Sequence, residues 1–349
     1  MIEFRAQDRN AEPAAPRATT ARPAVWFVVR LSVGIGLIAY LAKSHVINFH
    51  SLSKPILSWP IDVAALVLMF LDIALMSKRL AMLVESQGLR LSFWNSLKLT
   101  LVSSFFATFL PGAAGGDVAK LFYAAKENKG RRAEITTIVV FDRLIGLFSI
   151  LLLPLLFAPR FIPLILAVGA LRALLIAAAA LALCMLAGLF VCLRSPAGVN
   201  WLVRCIFRFL PGRKLAERSA ATIAAYRGDP AVLIAALGLS FLANLTLIIV
   251  TALAISALHP SSMSMKMILV IPLGDLANNL PLTPGGLGVG ESAYDVLFKL
   301  AGLEGGAEAL LCWRIWRAAV GLIGLVLYLR GPGRSVYSEV PATEKGAAT

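Results

Sequence analysis

Long apolar runs, most of them with almost no charge, constrain this chain more than any other feature of its sequence. A helix needs about 20 such residues to cross a hydrocarbon core of about 30 Å. Only 15% of the residues are charged, against about 25% in a soluble domain. The sequence therefore predicts an all-α polytopic membrane protein with about six spanning helices. These lie near residues 24–42, 61–77, 135–157, 164–193, 231–257 and 309–329.

Two further apolar segments are interrupted by proline and glycine. Segment 93–126 contains PGAAGG, and segment 267–300 contains NNLPLTPGGLGVGE. Lys and Arg are frequent on both flanks of the first segment, whereas the loop 301–308, after the second, has none. Positively charged loops stay in the cytoplasm. We therefore expect each segment to be a re-entrant helical hairpin, the first entered from the cytoplasm and the second from the opposite side.

The two interrupted segments sit in similar surroundings. Each follows one spanning helix and precedes an arginine-bearing one, so that residues 61–157 and 231–329 form two related units. Because the charge pattern gives these units opposite orientations, it predicts an inverted-topology repeat with a binding site near the bilayer midplane. We expect one transmembrane domain over 24–330, between disordered cytoplasmic tails at 1–23 and 331–349.

Arg143, Arg314 and Arg317 are predicted to lie deep in spanning helices. A guanidinium at that depth is costly and should face the interior, where it is paired or hydrated. Two interpretations remain open. The arginines could clamp a phosphate through bidentate hydrogen bonds, or they could form structural ion pairs with nearby acids. The acids that could serve as partners are Asp117, Asp142, Glu291 and Asp295.

The interrupted segments carry the remaining candidates for substrate binding. Asp117 and Glu291 each follow glycine at the start of a helix, where an acid complements the helix dipole, positions an arginine or takes up a proton. Asn278, Asn279 and Thr283 offer hydrogen bonds at the second turn, and Asp275 shares the face of Asn279. The glycines permit tight turns whose N–H groups bind an anion, or else allow close helix packing. They are Gly112, Gly115, Gly116, Gly285, Gly286 and Gly288.

Charge and composition exclude several other classes of function. The net charge of +14 fits cytoplasmic loops and anionic lipid headgroups, so we expect no nucleic-acid partner. The four cysteines and three histidines lack metal-ligand spacing, so we expect neither a metal nor a cofactor. No G-x-x-x-x-G-K-[ST] phosphate loop is present, which argues against an ATP-driven cycle within this chain.

Three blocks carry a resemblance to a known family: SFFATFLPGAAGGDVAKLFY, FDRLIGLF and NNLPLTPGGLGVGESAYDVLF. They resemble the transmembrane region of lysylphosphatidylglycerol synthases and its flippase-like relatives, over about residues 25–330. The resemblance implies a membrane-embedded domain and a role in lipid translocation. After about residue 330 the sequence has only a short polar tail, so we do not expect the synthase's amino-acid transfer.

The leading hypothesis is an inner-membrane flippase with both termini in the cytoplasm, which moves an anionic or polar-headed lipid between leaflets. The lipid could be a phospholipid, a glycolipid or a polyprenyl-linked molecule, and we expect no enzyme activity. The alternative is an accessory protein, or a glycosyl or lipid transferase, of a lipid-modification pathway such as hopanoid or glycolipid synthesis. Expected partners are membrane lipids and a lipid-modifying enzyme; the sequence gives no oligomeric state.

Overall fold

Helices make up all the regular structure of the residues that the computed structural model describes. These are residues 58–109, 120–121, 124, 128, 130–194, 222, 226, 229–280, 282–283 and 286–330. The helices are α1 (Trp59–Glu85), α2 (Phe93–Phe109), α3 (Arg132–Phe157), α4 (Ile162–Ala167), α5 (Gly169–Arg194), α6 (Pro230–Leu258), α7 (Met267–Asn278), α8 (Val289–Leu300) and α9 (Gly306–Leu329). Short 3-10 turns follow α3 and α6.

Five stretches of the described chain are long and apolar enough to cross a membrane. They are α1, the combined stretch Arg132–Ala167, most of α5, α6 and α9. Their surfaces are largely apolar; α5, for example, exposes Ile176, Leu183 and Phe190. The prediction of a polytopic helical membrane protein is thus confirmed for five spans. The predicted first span, 24–42, and the two predicted tails lie outside the described residues.

Two predicted boundaries were wrong. The span predicted at 61–77 continues to Glu85, so that Lys78 and Arg79 are helical rather than part of a loop. The span predicted at 164–193 begins at Gly169, because Val168 adopts an extended conformation and separates α4 from α5. Hydropathy alone does not detect that break, since the residues on both sides of it are equally apolar.

Helices α7 and α8 form a compact hairpin at the second interrupted segment. Each has 12 residues and is about 18 Å long, too short to cross a core of about 30 Å. The two helices pack against each other. Just outside the hairpin, Lys266 Nζ donates to the carbonyl oxygen of Ala301 at 2.8 Å, and Glu304 N donates to Ser262 Oγ at 2.9 Å. The chain therefore enters and leaves the hairpin at the same end of the helix bundle.

The flanks of the first interrupted segment are also held together. The backbone N–H of Arg90 donates to Asn128 Oδ1 at 3.2 Å, and Asn128 Nδ2 donates to the carbonyl oxygen of Arg90 at 3.1 Å. Between them, α2 is described but the predicted turn around PGAAGG lies outside the described residues. This segment, too, starts and ends at one end of the bundle.

The flanks of these two segments lie at opposite ends of the bundle. Tyr226, shortly before α6, donates its hydroxyl to the carbonyl oxygen of Leu83 at 2.9 Å, which places the start of α6 beside the end of α1. The far end of α6 meets the start of α9, where His259 hydrogen-bonds Glu308. Since α1 and α6 pack along each other, they run antiparallel, and the Arg90–Asn128 contact is a helix length away from the Lys266–Ala301 contact.

Helices of each predicted unit pack against helices of the other unit. Helix α2, from the first unit, packs on α9 of the second, and α7, from the second unit, packs on α3 of the first. The α2–α9 contact is close because Gly324 faces the Leu101 carbonyl oxygen and Gly321 faces the Phe105 backbone. In the centre, α1 packs along α6. Helices α2 and α7 thus each lie against the arginine-bearing helix of the other unit.

Candidate functional site

Arg314 is the centre of a polar cluster at the turn between α7 and α8. Its Nε lies 2.6 Å from Glu291 Oε1, and its Nη2 donates to Asn278 Oδ1 at 2.7 Å and to the Gly286 carbonyl oxygen at 2.9 Å. Glu291 is 0% exposed, and the Arg314 side chain is 15% exposed. Among the predicted partners that lie within the described residues, Glu291 pairs with Arg314.

The turn itself requires glycine at two positions. Gly286 and Gly288 have φ of +73° and +78°, a region that side-chain-bearing residues rarely adopt. A Cβ on Gly286 would collide with the carbonyl oxygen of Asn278. The N–H of Gly288 donates to Glu291 Oε2 at 2.7 Å, so the same carboxylate holds both the turn and Arg314. Thr283 stabilises the turn from within, donating to the Leu287 carbonyl oxygen at 2.7 Å.

Asp275 extends this cluster along α7. Asn278 Nδ2 donates to Asp275 Oδ1 at 3.1 Å, and Asn279 Nδ2 donates to Asp275 Oδ2 at 2.8 Å. The prediction that Asp275 and Asn279 share a face is confirmed. Asn278 is bound on both sides, because its amide oxygen accepts from Arg314 while its amide nitrogen donates to Asp275. It therefore links the buried acid to the arginine.

Arg317 lies one helical turn beyond Arg314 and has looser contacts. Its Nη1 is 4.0 Å from Asp72 Oδ2 on α1, a distance that allows Coulomb attraction but no hydrogen bond. The guanidinium lies 4.9 Å from the ring centroid of Trp313, within the range of a cation–π interaction. With 28% of its side chain exposed, Arg317 is the more accessible of the two arginines on α9.

Arg143 and its neighbour Asp142 differ in exposure, and the role predicted for Arg143 stays a prediction. Arg143 is exposed on α3, whereas its neighbour Asp142 is buried and pairs with Arg79 of α1 at 2.6 Å. Arg79 Nη1 also donates to Ser240 Oγ of α6 at 2.6 Å. Sequence reasoning missed Arg79 because it assigned this residue to a cytoplasmic loop. The available signal was its position two helical turns after Asp72 with no helix breaker between them.

Several predicted site residues cannot be placed. Asp117, Gly112, Gly115, Gly116 and Gly285 lie outside the described residues. Their roles stay predictions. Of the others, the structure brings Arg314, Glu291, Asn278, Gly286 and Gly288 together directly, with Asn279 joined through Asp275. Asp295, a predicted alternative partner for an arginine, pairs instead with Lys299 on its own helix at 2.8 Å.

A protein-family comparison matches the lysylphosphatidylglycerol synthase transmembrane region over residues 27–327, most of the chain. The chain belongs to this family. No curated protein and no solved structure matches it. The match confirms the resemblance carried by the two Pro-Gly blocks and FDRLIGLF. It also covers every element described above up to the last residues of α9, so the Arg314 cluster lies within the family's own domain. Membership supports a multi-pass membrane protein with a lipid-related function.

Proposed function

We propose that this protein is a flippase, or lipid transporter, which moves a lipid with an anionic or polar head between the leaflets of the inner membrane. The observation that carries the proposal is the Arg314 cluster. Charged groups in a membrane-spanning bundle are expensive and mark substrate paths more often than not. Arg314 and Arg317 lie about 12 and 16 Å along α9, which is about 36 Å long.

The geometry favours a phosphate or similar oxyanion as the group that is bound. Arg314 is fixed by Glu291, Asn278 and the Gly286 carbonyl oxygen, all of which accept hydrogen bonds as phosphate oxygens do. A lipid phosphate could replace one of these acceptors without changing the arginine's position. Within the described residues, Arg317 has a long ion pair and a ring contact, which would let it turn towards the same head while the lipid tails remain in the bilayer.

The packing supports an arrangement in which this site opens to one leaflet at a time. We propose that segments 93–126 and 267–300 are re-entrant hairpins related by an inverted repeat. In support, the flanks of each segment meet, the two pairs of flanks lie at opposite ends of the bundle, and helices α2 and α7 each pack on the other unit's arginine-bearing helix. Positive-inside counting favours a cytoplasmic location for both termini in this arrangement.

The test is lipid movement by the purified protein. It is reconstituted into vesicles of phosphatidylethanolamine and phosphatidylglycerol that contain a fluorescent phosphatidylglycerol, and dithionite reports the fraction exposed outside. The wild-type protein should move the label, and Arg317→Gln should slow it about ten- to a hundredfold, the equivalent of one charged hydrogen bond. Arg160→Gln, an exposed arginine in the turn after α3, is the matched control and should behave as wild type.

The same variants separate the flippase from an accessory protein. An accessory role predicts that folded Arg317→Gln supports its partner enzyme as well as wild type does, and that purified wild type moves no lipid. A transferase predicts that the purified protein changes the lipid covalently, which mass spectrometry of the recovered lipids would detect. Absence of movement for labelled phosphatidylglycerol, phosphatidylethanolamine and a polyprenyl phosphate alike would contradict the proposal.

A further inference from the structure

One side of α8 is polar and partly exposed, although the helix belongs to an apolar bundle. Ser292, Asp295 and Lys299 follow one another at spacings of three and four residues, which places them on the same side of a helix. We call these three residues the polar face of α8. Val296 is exposed beside them. The opposite side of the helix is buried and carries Glu291, Tyr294, Leu297 and Phe298.

Other helices of the bundle expose apolar side chains where α8 exposes polar ones. On α5 and α6 the exposed residues include Ile176, Leu183, Phe190, Ile234, Leu242 and Ile249. On α8, by contrast, the Lys299 side chain is 61% exposed and its Nζ lies 2.8 Å from Asp295 Oδ2. Such a charged pair suits contact with water and not contact with lipid tails.

The polar face extends well below the end of the helix. Helix α8 ends at Leu300, and at about 1.5 Å per residue Lys299, Asp295 and Ser292 lie about 2, 8 and 12 Å from that end. Arg314, which pairs with Glu291 next to Ser292, lies about 12 Å from the start of α9, which gives the same depth independently. A charged group facing hydrocarbon at such depths is costly, so we infer that water covers this side of α8.

The deep end of the polar face adjoins the Arg314 cluster. Ser292 Oγ donates to the Gly288 carbonyl oxygen at 2.8 Å, and the Gly288 N–H donates to Glu291 Oε2 at 2.7 Å. The same Glu291 carboxylate pairs with Arg314. Polar groups therefore follow one another along α8 from its end to the arginine, in steps of about 4.5–6 Å.

We propose that the polar face of α8 is the path by which the lipid head moves between the membrane surface at the end of α8 and the Arg314 cluster. This rests on the proposed function and adds a path to it. The ammonium group of Lys299 binds the lipid phosphate first. The phosphate displaces the Asp295 carboxylate, which returns to Lys299 as the phosphate moves on to Arg317 and Arg314.

Apolar side chains beside the polar face favour a membrane lipid as the molecule that follows this path. Val296 is 54% exposed, and Leu280 and Leu282, near the turn at the deep end of α8, are 50% and 59% exposed. An apolar surface next to a polar one suits a molecule with a charged head and hydrocarbon tails. Free phosphate would gain nothing from it.

The first test measures whether water reaches the polar face. A full-length variant in which alanine replaces Cys184, Cys192, Cys205 and Cys312 receives one new cysteine and is reconstituted into vesicles. A membrane-impermeant sulfonated maleimide is present on both sides of the membrane. Ser292→Cys should react at least about tenfold faster than Ile176→Cys, because a thiol in apolar surroundings forms little thiolate. Ile176 is the matched control, since it is exposed on α5 about 11 Å from the start of that helix.

The second test measures whether the lipid head uses this face. In the dithionite assay with fluorescent phosphatidylglycerol, Lys299→Gln should slow lipid movement about two- to fivefold, the effect of one exposed charge contact. Lys299→Arg keeps the charge and should stay close to wild type. Arg160→Gln, an exposed arginine in the turn after α3, is the control for the loss of a surface charge and should also behave as wild type.

The outcomes separate this path from the proposed function. Reaction of Ser292→Cys no faster than that of Ile176→Cys would overturn the path, and so would lipid movement by Lys299→Gln at the wild-type rate. In both cases the wild-type protein still moves lipid, so the flippase remains. A wild-type protein that moves no lipid would overturn the flippase, and the path with it, whatever the maleimide labelling shows.

Discussion

Removal of either partner of the buried ion pair between Arg79 and Asp142 should strongly destabilise the helix bundle. Both side chains are about 95% buried, and Arg79 spans three helices by pairing with Asp142 of α3 and donating to Ser240 of α6. Asp142→Asn or Arg79→Met leaves a charge buried without its counter-charge. Such a loss costs about 3–5 kcal/mol in the free energy of unfolding.

The double variant separates the pair from its surroundings. In Arg79→Met with Asp142→Asn, no unpaired charge remains, so the destabilisation of the double variant should be well below the sum of the two single variants. The difference, the coupling energy, should reach about 2–3 kcal/mol, at the upper end of values for contacting residues. Gly146 of α3 faces the Arg79 guanidinium, which leaves room for the smaller methionine.

The assay is reversible unfolding in mixed micelles of dodecyl maltoside and sodium dodecyl sulfate, followed by tryptophan fluorescence. Arg160→Gln, an exposed arginine, serves as the control and should stay within about 0.5 kcal/mol of wild type. If the two single variants add up to the double variant within about 0.5 kcal/mol, the side chains are energetically independent. The assignment of Arg79 to the interior would then be wrong.

Two glycine substitutions test the hairpin turn and the contact between units. Gly286→Ala should slow lipid movement at least about tenfold and lower the free energy of unfolding by about 1–3 kcal/mol, because it combines a positive φ with a collision at Asn278. Gly238→Ala is the control, because Gly238 of α6 has open space around it, and it should neither slow lipid movement nor destabilise the protein. Gly324→Ala should destabilise the protein by pushing α9 off the Leu101 carbonyl of α2, whereas Gly188→Ala on α5, which meets nothing, should stabilise it by up to about 1 kcal/mol. The micelle unfolding assay checks the stability of all four variants, and the vesicle assay checks lipid movement. A Gly324→Ala variant as stable as wild type would contradict the close helix contact.

Hydrophobic length predicted most of the fold because it is a local property. The predicted boundaries of α1, α3, α6 and α9 agree with the observed helix ends to within a few residues in most cases. The glycines of NNLPLTPGGLGVGE correctly predicted a turn in that segment. Glu291 was named as a partner for an arginine, since a first-turn acid and an arginine on the next helix were both visible. Its pairing with Arg314 rather than another arginine depends on how α8 packs on α9, which no local pattern contains.

The contacts that sequence reasoning missed join residues far apart along the chain. Arg79 is 63 positions from Asp142 and 161 from Ser240. Adjacent residues on a helix point about 100° apart, and here Asp142 is buried whereas Arg143 is exposed. Hydropathy favoured neither. The choice follows from Arg79, whose position became clear only once α1 was seen to continue beyond residue 77.

The different surroundings of Arg143 and Arg314 bear on how a two-unit transporter would work. In the repeat that we propose, these two arginines correspond, yet Arg143 is exposed and Arg314 is held by Glu291 and the α7–α8 turn. If the two environments were identical, the protein would be symmetric and its binding site would not open towards one leaflet in preference to the other. Under the proposed function, two unequal environments would correspond to one of a pair of states, in which the two units have opposite roles. Under the proposed function, exchange of these two degrees of exposure between the units would accompany the passage of a lipid head from one leaflet to the other.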